Sequence, residues 1–291
     1  MMSIHTFSIV AHCADEEAWG VAVASKFPAV GAVVPWARAG VGAVATQSYA
    51  KLGFGPDGLA LMSEGLSAAA ALSRLLGADE GRETRQVALV DAQGVAAAHT
   101  GSECHEWAGH KTGAGFSAQG NLLAGEEVVE AMAAGYLRAE GELADRLTAA
   151  LRAGEIAGGD KRGKQSAAVQ VTRPNGGYGG DNDRYLDLRV DDAEEPVADL
   201  IALVKLHHLY FQPPRAEDAI KIDEDIAREL QAIMIEQGYM TGEINGLWDE
   251  VCLQVFRMLI GNENLEMRWT PEKNRHSIDR VTLEYLRQRF G

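Results

Sequence analysis

Cysteine is scarce. Cys13, Cys104 and Cys252 are the only three in 291 residues, far apart and odd in number. They exclude a disulfide scaffold and read as reduced thiols of a cytoplasmic protein. Cations are also few: 27 Lys and Arg stand against 42 Asp and Glu, for a net charge of −15. That balance argues against a nucleic-acid partner, because attraction to phosphates needs a cationic face, and against docking on an anionic membrane. No apolar run approaches the roughly 20 residues that span a bilayer. The opening Met1-Met2-Ser3-Ile4-His5-Thr6 has no basic run leading into an apolar stretch, so no signal peptide is expected.

What is present is a globular composition, 46% apolar and 24% charged, in a chain long enough for one large domain or two smaller ones. Glycine is unevenly spread: 27 of the 32 lie before residue 181. The first part therefore reads as turn-rich with short strands, and the tail as helical. Pro213-Pro214 lack backbone donors and force extended geometry, so a helix should end before them. This predicts a first domain over 1–211, a linker over 212–218 and a second domain over 219–291.

Within the first domain, strands are predicted at 6–12, 18–25, 41–46, 85–91, 95–100, 116–120, 166–171 and 185–190. Helices are predicted at 58–64, 67–76, 126–138, 145–152 and 196–210. Paired strands interrupted by helix pairs suit an α+β class in which two stacked sheets carry helices outside, rather than a doubly wound parallel sheet. In the tail, apolar stripes at Ile222–Ile226–Leu230–Ile233–Met234, Trp248–Val251–Cys252–Val255–Phe256–Leu259 and Ile278–Val281–Tyr285–Leu286 predict a small three-helix bundle.

Thr6 stands at the start of the first strand. A threonine hydroxyl is a weak nucleophile near neutral pH. If it became the first residue, its own α-amine, with a pKa of roughly 7.7–8.0, could serve as the base. An ordinary strand-initial threonine is the alternative.

Longer blocks carry more information. Thr6-Phe7-Ser8-Ile9-Val10-Ala11, Gly20-Val21-Ala22-Val23-Ala24-Ser25-Lys26-Phe27-Pro28 and Val34-Pro35-Trp36-Ala37-Arg38-Ala39-Gly40 are three of them. Trp107-Ala108-Gly109-His110, Gln119-Gly120-Asn121 and Gly158-Gly159-Asp160-Lys161-Arg162-Gly163-Lys164-Gln165-Ser166 are three more. Over roughly residues 6–210 the chain resembles the domain of unknown function 1028 family, which is similar to N-terminal-nucleophile (Ntn) hydrolases of the proteasome type. The resemblance implies a four-layer αββα Ntn-hydrolase-like sandwich and an amidohydrolase that opens a C–N bond in a small molecule or peptide, with Thr6 as nucleophile. Members commonly begin Met-Thr-Phe-Ser, whereas here five residues precede Thr6. A free amine therefore requires cleavage between His5 and Thr6.

The resemblance also implies the other site residues. Lys26 tunes the amine, or is a surface lysine. Asn121 donates to an oxyanion or to the amine, or makes an Asx turn. Asp160 and Ser166 support the nucleophile or serve turn chemistry, and Thr46-Gln47 line the substrate side. Residues 219–290 resemble a peptidoglycan-binding domain, so Tyr239, Asn245 and Trp248 are glycan-binding candidates; docking or dimerisation is the alternative. In that case the chain is a non-catalytic binding or structural protein. The alanine-rich helices allow a homo-oligomer. No cofactor is expected. His99, Cys104, His105 and His110 hold zinc-type ligands, but their spacing fits no standard site, so no metal is expected. Gly176-Gly177-Tyr178-Gly179-Gly180 lacks the order of a phosphate-binding loop.

Overall fold

Short runs of small and β-branched residues set the first strands. β1 (Phe7–Cys13) and β2 (Ala18–Ser25) form an antiparallel hairpin. They are followed by β3 (Pro35–Arg38), β4 (Gly42–Ser48), α1 (Phe54–Ser63), α2 (Ala68–Gly77), β5 (Arg85–Asp91), β6 (Ala96–Thr100), β7 (Gly109–Gly113) and β8 (Phe116–Gly120). Then come α3 (Glu127–Arg138), α4 (Leu143–Ile156), β9 (Ser166–Thr172), β10 (Arg184–Val190) and α5 (Pro196–Phe211). The structure, a computed structural model, describes residues 5–291. They divide into two compact units, one ending at Val204 and the other covering Lys205–Gly291. Among the described residues no helix is long and apolar enough to cross a membrane.

The first unit contains a six-stranded sheet ordered β10-β9-β2-β1-β8-β7 and a four-stranded sheet ordered β3-β4-β5-β6. Period-two alternation assigns each strand face. Phe7, Ile9 and Ala11 of β1 join Val128 and Met132 of α3 and Leu147 and Leu151 of α4 in one core. Val10 points the other way and meets Val21, Val23, Ala43, Ala45, Ala88 and Val90, so the two sheets face each other. On the far side of the smaller sheet, Val44, Val87 and Leu89 pack on Phe54, Leu59, Leu72 and Leu75 of α1 and α2. Each fully buried aliphatic side chain contributes about 1.5–3 kcal/mol relative to exposure. Gly20 lets α4 approach β2: a Cβ there would lie 2.7 Å from Leu147 Cδ1.

β3 and β7 do not stand out in the sequence. Both are edge strands, and β7 carries Gly-His-Lys-Thr-Gly, largely exposed. An edge strand needs no two-sided apolar pattern. Helix α1 starts at Phe54, four residues before the predicted start, with Pro56 in its first turn, where no amide donor is required.

The second unit contains β11 (Ala219–Lys221), α6 (Glu224–Glu236), α7 (Glu250–Asn262), α8 (Pro271–Asn274), β12 (Ser277–Asp279) and α9 (Arg280–Phe290). Asp223, Asp249 and Asp279 cap α6, α7 and α9 by accepting from Ile226, Cys252 and Thr282 N–H groups. Phe256 and Trp269 meet edge to face at 4.7 Å in its core. The helical tail is present, with additions to three helices: an antiparallel β11–β12 ribbon and the short α8. Ile222 and Trp248 precede the helices to which their stripes were assigned, and Ile278 lies in β12.

Candidate functional site

Thr6 immediately precedes β1 and shares the parity of Ser8 and Val10, so its side chain lies on the sheet face turned toward the second sheet. It is fully buried. Its Oγ1 donates to the Ala24 carbonyl at 2.5 Å. Its own carbonyl accepts from Asn121 N–H at 3.0 Å and from Gln47 Nε2 at 3.4 Å. The preceding carbonyl, that of His5, accepts from Ser25 Oγ at 2.5 Å and from Arg162 Nη2 at 3.0 Å. The carbonyls on both sides of Thr6 are thus clasped.

The His5 ring lies 2.9 Å from Asn121 Oδ1 and edge-on to His105, with centroids 4.5 Å apart. Burial lowers its pKa below the ordinary 6.5, aided by Arg162 and His105, while Asn121 and Asp160 oppose the shift. His105 Nε2 sits 3.4 Å from the Tyr49 hydroxyl.

Behind Thr6 a line of neutral polar side chains crosses from one sheet to the other. Ser117 donates to Gln119 Oε1 at 2.9 Å, and Gln119 Nε2 donates to Ser8 Oγ at 2.7 Å. Ser8 donates to Gln47 Oε1 at 2.6 Å, and Gln47 Nε2 to Gln86 Oε1 at 2.8 Å. Gln86 Nε2 donates to the Gly120 carbonyl at 2.7 Å. Asn121 Nδ2 joins at Gln86 Oε1, at 2.9 Å. All six side chains named are buried, and their mutual bonding satisfies groups that would each be costly alone.

The loop after α4 supplies charge. Asp160 is buried and accepts from the backbone N–H groups of Lys26 and Arg162, at 3.0 and 2.9 Å. Its two oxygens also hold the Arg162 guanidinium, at 3.1 Å to Nε and 2.7 Å to Nη2. Asp160 therefore aims Arg162 at the His5 carbonyl.

Thr6, Gln47 and Asn121 are drawn into one network, and Asp160 reaches it through Arg162. Lys26 joins by its backbone; its Nζ donates to the Lys164 carbonyl at 3.1 Å. Ser166 lies apart, its hydroxyl bridging Phe27 O at 2.5 Å and Val30 N at 3.1 Å. Thr46 Oγ1 donates to Lys51 O at 3.3 Å. Sequence reasoning did not single out His5, Ser8, Ser25, Gln86, Gln119 or Arg162 as site residues. The available signal was parity: Ser8 and Gln86 occupy inward-facing positions next to the apolar centres of their strands, Ile9–Ala11 and Val87–Val90. The leader residues 1–4, whose removal the resemblance requires, lie outside the described residues.

A cavity adjoins the clasp on the Phe7 side of β1. It encloses about 370 Å³ of empty space, part of it open to solvent, and is lined mainly by apolar atoms. Phe7, Ala24 and Pro196 form its apolar walls, and Ser25, Glu155, Asp160 and Lys164 its polar rim.

The zinc-type residues have separate partners. His99 Nε2 is 2.9 Å from Arg82 O, His110 Nδ1 is 2.9 Å from Thr100 Oγ1, and the Cys104 thiol donates to Arg85 O at 3.3 Å. Among the described residues no three His, Cys, Asp or Glu side chains gather to hold a metal ion.

In the second unit, Tyr239 OH accepts from Asn262 Nδ2 at 2.8 Å, and Trp248 Nε1 donates to Arg275 O at 3.0 Å. Asn245 Oδ1 accepts from Gln231 Nε2 and Leu247 N, each at 2.9 Å.

Residues 6–200 match the model described as "Family of unknown function (DUF1028)". Residues 210–286 match the model described as "Putative peptidoglycan binding domain". The crystal structure of a protein from Silicibacter pomeroyi, matched by the same DUF1028 model, is 31% identical, with a TM-score of 0.65. The match covers 74% of this chain and 97% of that one. No curated protein matches the chain.

Proposed function

The chain belongs to the DUF1028 family, and from that premise we propose that its first unit is an Ntn-type amidohydrolase in which Thr6 is the nucleophile once residues 1–5 are removed. The observation that carries this reading is the clasp on both carbonyls flanking Thr6, which fixes this one residue at the junction of two facing sheets. The layered packing of helices outside two sheets supports an αββα sandwich of the Ntn kind.

In the reaction, Thr6 Oγ1 attacks the carbonyl carbon of a small amide or peptide, and its proton passes to the freed Thr6 amine. The second N–H of Asn121 Nδ2, the one not given to Gln86, stabilises the oxyanion. As the C–N bond breaks, the ammonium protonates the leaving amine. Water then attacks the ester, its proton passing through the same amine, and Thr6 Oγ1 departs with a proton. No cofactor enters these steps. Arg162, close to the position of that amine, disfavours its protonation and holds it in the neutral form that can accept a proton.

The intact mass and first residue of the native protein test the premise, with a chain beginning at Thr6 as the expected result. Thr6→Ala is expected to abolish cleavage in an amide screen while leaving the melting temperature within a few degrees. Retained cleavage would sink the assignment.

A second reading is a binding protein whose second unit holds peptidoglycan or a protein partner. The match over residues 210–286 favours it. The polar atoms of Tyr239 and Trp248 and the carbonyl oxygen of Asn245 already serve the fold, so a glycan would engage the ring faces of Tyr239 and Trp248. This reading requires the chain to reach the cell wall, whereas the amidohydrolase reading suits the cytoplasm. Retention on murein sacculi is its expected sign.

A further inference from the structure

His5 shows what the clasp recognises. Its carbonyl oxygen sits between a hydroxyl donor, Ser25, and a guanidinium, Arg162, both contributed from distant parts of the chain. Arg162 is held in place by the buried Asp160 carboxylate, so the donor geometry exists independently of His5. Once the leader is gone, that oxygen is gone too, and its two donors are left facing the vacated position.

The charge around that position runs against the rest of the molecule. The chain carries −15, yet among the charged groups that line the adjoining cavity or bond to its lining, Lys26, Arg152, Arg162 and Lys164 outnumber Glu155, Asp160 and Glu195. The three carboxylates are all engaged: Asp160 with Arg162, Glu155 with Arg152 and Lys164, and Glu195 with Lys164. Lys26 has no ion-pair partner among the described residues; its Nζ meets only a backbone carbonyl. The adjoining cavity shares Ser25 and Asp160 with the clasp and offers Phe7, Ala24 and Pro196 as apolar walls. An anion beside an apolar slot is the matching ligand shape: the guanidinium and hydroxyl favour a carboxylate, and the walls favour a short aliphatic group.

We propose that the site takes amides that also carry a carboxylate and a short apolar side chain, the N-acyl amino acid class. The carboxylate occupies the place of the His5 carbonyl oxygen between Ser25 and Arg162, drawn in by Lys26, and the side chain enters the Phe7 cavity. In the uncut chain His5 fills that place and excludes such ligands. The inference rests on the amidohydrolase reading for its scissile bond, but recognition can be measured without turnover.

The test uses a chain released so that residue 6 is its first residue, carrying Thr6→Ala so that nothing is cleaved. Calorimetric titration compares N-acetyl-leucine with the neutral N-acetyl-leucinamide. The acid is expected to bind at least tenfold more tightly than the carboxamide. Lys26→Gln, on an exposed side chain that threatens no core, is expected to shrink that ratio severalfold, and Arg162→Gln to abolish it. The chain retaining residues 1–5 is expected to bind neither probe. Equal binding of acid and carboxamide to the trimmed chain overturns the proposal, as does undiminished binding of the acid when residues 1–5 are present. Failure of the hydrolase reading looks different: the trimmed chain with Thr6 intact would keep the preference for the acid and leave every amide uncut.

Discussion

The two units bury their polar groups for different ends. In the first, neutral hydroxyls and amides from β1, β4, β5 and β8 converge behind a single residue, Thr6. In the second, the buried polar groups close loops. Arg268 pairs with Asp279 at 2.9 Å while donating to the Leu209 and His208 carbonyls. Gln231 holds the 245–247 turn through both ends of its amide. The contrast teaches where to look for chemistry. A network that ends on one reactive atom has a centre, whereas one spent on pinning turns leaves recognition to the exposed surface.

The sharpest way to break this comparison is Asp279→Ala. It strands the buried Arg268 charge and removes the cap of α9, so the second unit should lose about 3–5 kcal/mol. Calorimetry should show its transition falling while that of the first unit holds. Gln86→Leu comes next. It removes the acceptor of Gln47 Nε2 and Asn121 Nδ2 between the sheets and should cost the first unit about 2–3 kcal/mol in denaturant unfolding. A loss below half a kilocalorie would mean that the network contributes little to the fold.

Asp223→Ala, which removes only the cap of α6, should cost about 1 kcal/mol. Smallest is a pH effect. His12 and His110 of the first unit, and His5 in the uncut chain, have pKa values lowered from 6.5, each chiefly by burial. Below pH 6.5 the unfolded chain takes up protons that the folded one refuses. Stability from these groups is complete above 6.5 and declines as pH falls toward their folded values. The melting temperature of the first transition should therefore drop between pH 7 and pH 5.

The sequence made the central strands legible because alternating small and β-branched residues leave few other options. β1, β2, β5 and β8 lie at or within a residue of the predicted places. β3 and β7 escaped because an edge strand faces water and carries little pattern. Motif resemblance pointed to Thr6, Gln47, Asn121 and Asp160. The polar residues that meet them could not be read off: Gln86 is the cross-strand neighbour of Gln47 only in the register that β4 and β5 adopt, and it reaches Asn121, beyond β8 of the other sheet, only once two sheets stack; no local periodicity encodes either. Arg162 was hidden differently. It lay in plain view within Gly158–Gly159–Asp160–Lys161–Arg162, but only the bend at Asp160 turns its guanidinium back toward His5.

The line from Ser117 to Gly120 has a further consequence. Each member gives one hydrogen forward and takes one from behind, so the whole row has a head and a tail. Turning over any one glutamine would set donor against donor on one side and acceptor against acceptor on the other. The row therefore has two self-consistent orientations, not many, and the carbonyl of Gly120 at its tail selects one. The amides of Gln47, Gln86 and Gln119 are locked as a set, and Thr6 meets that set midway, through Gln47.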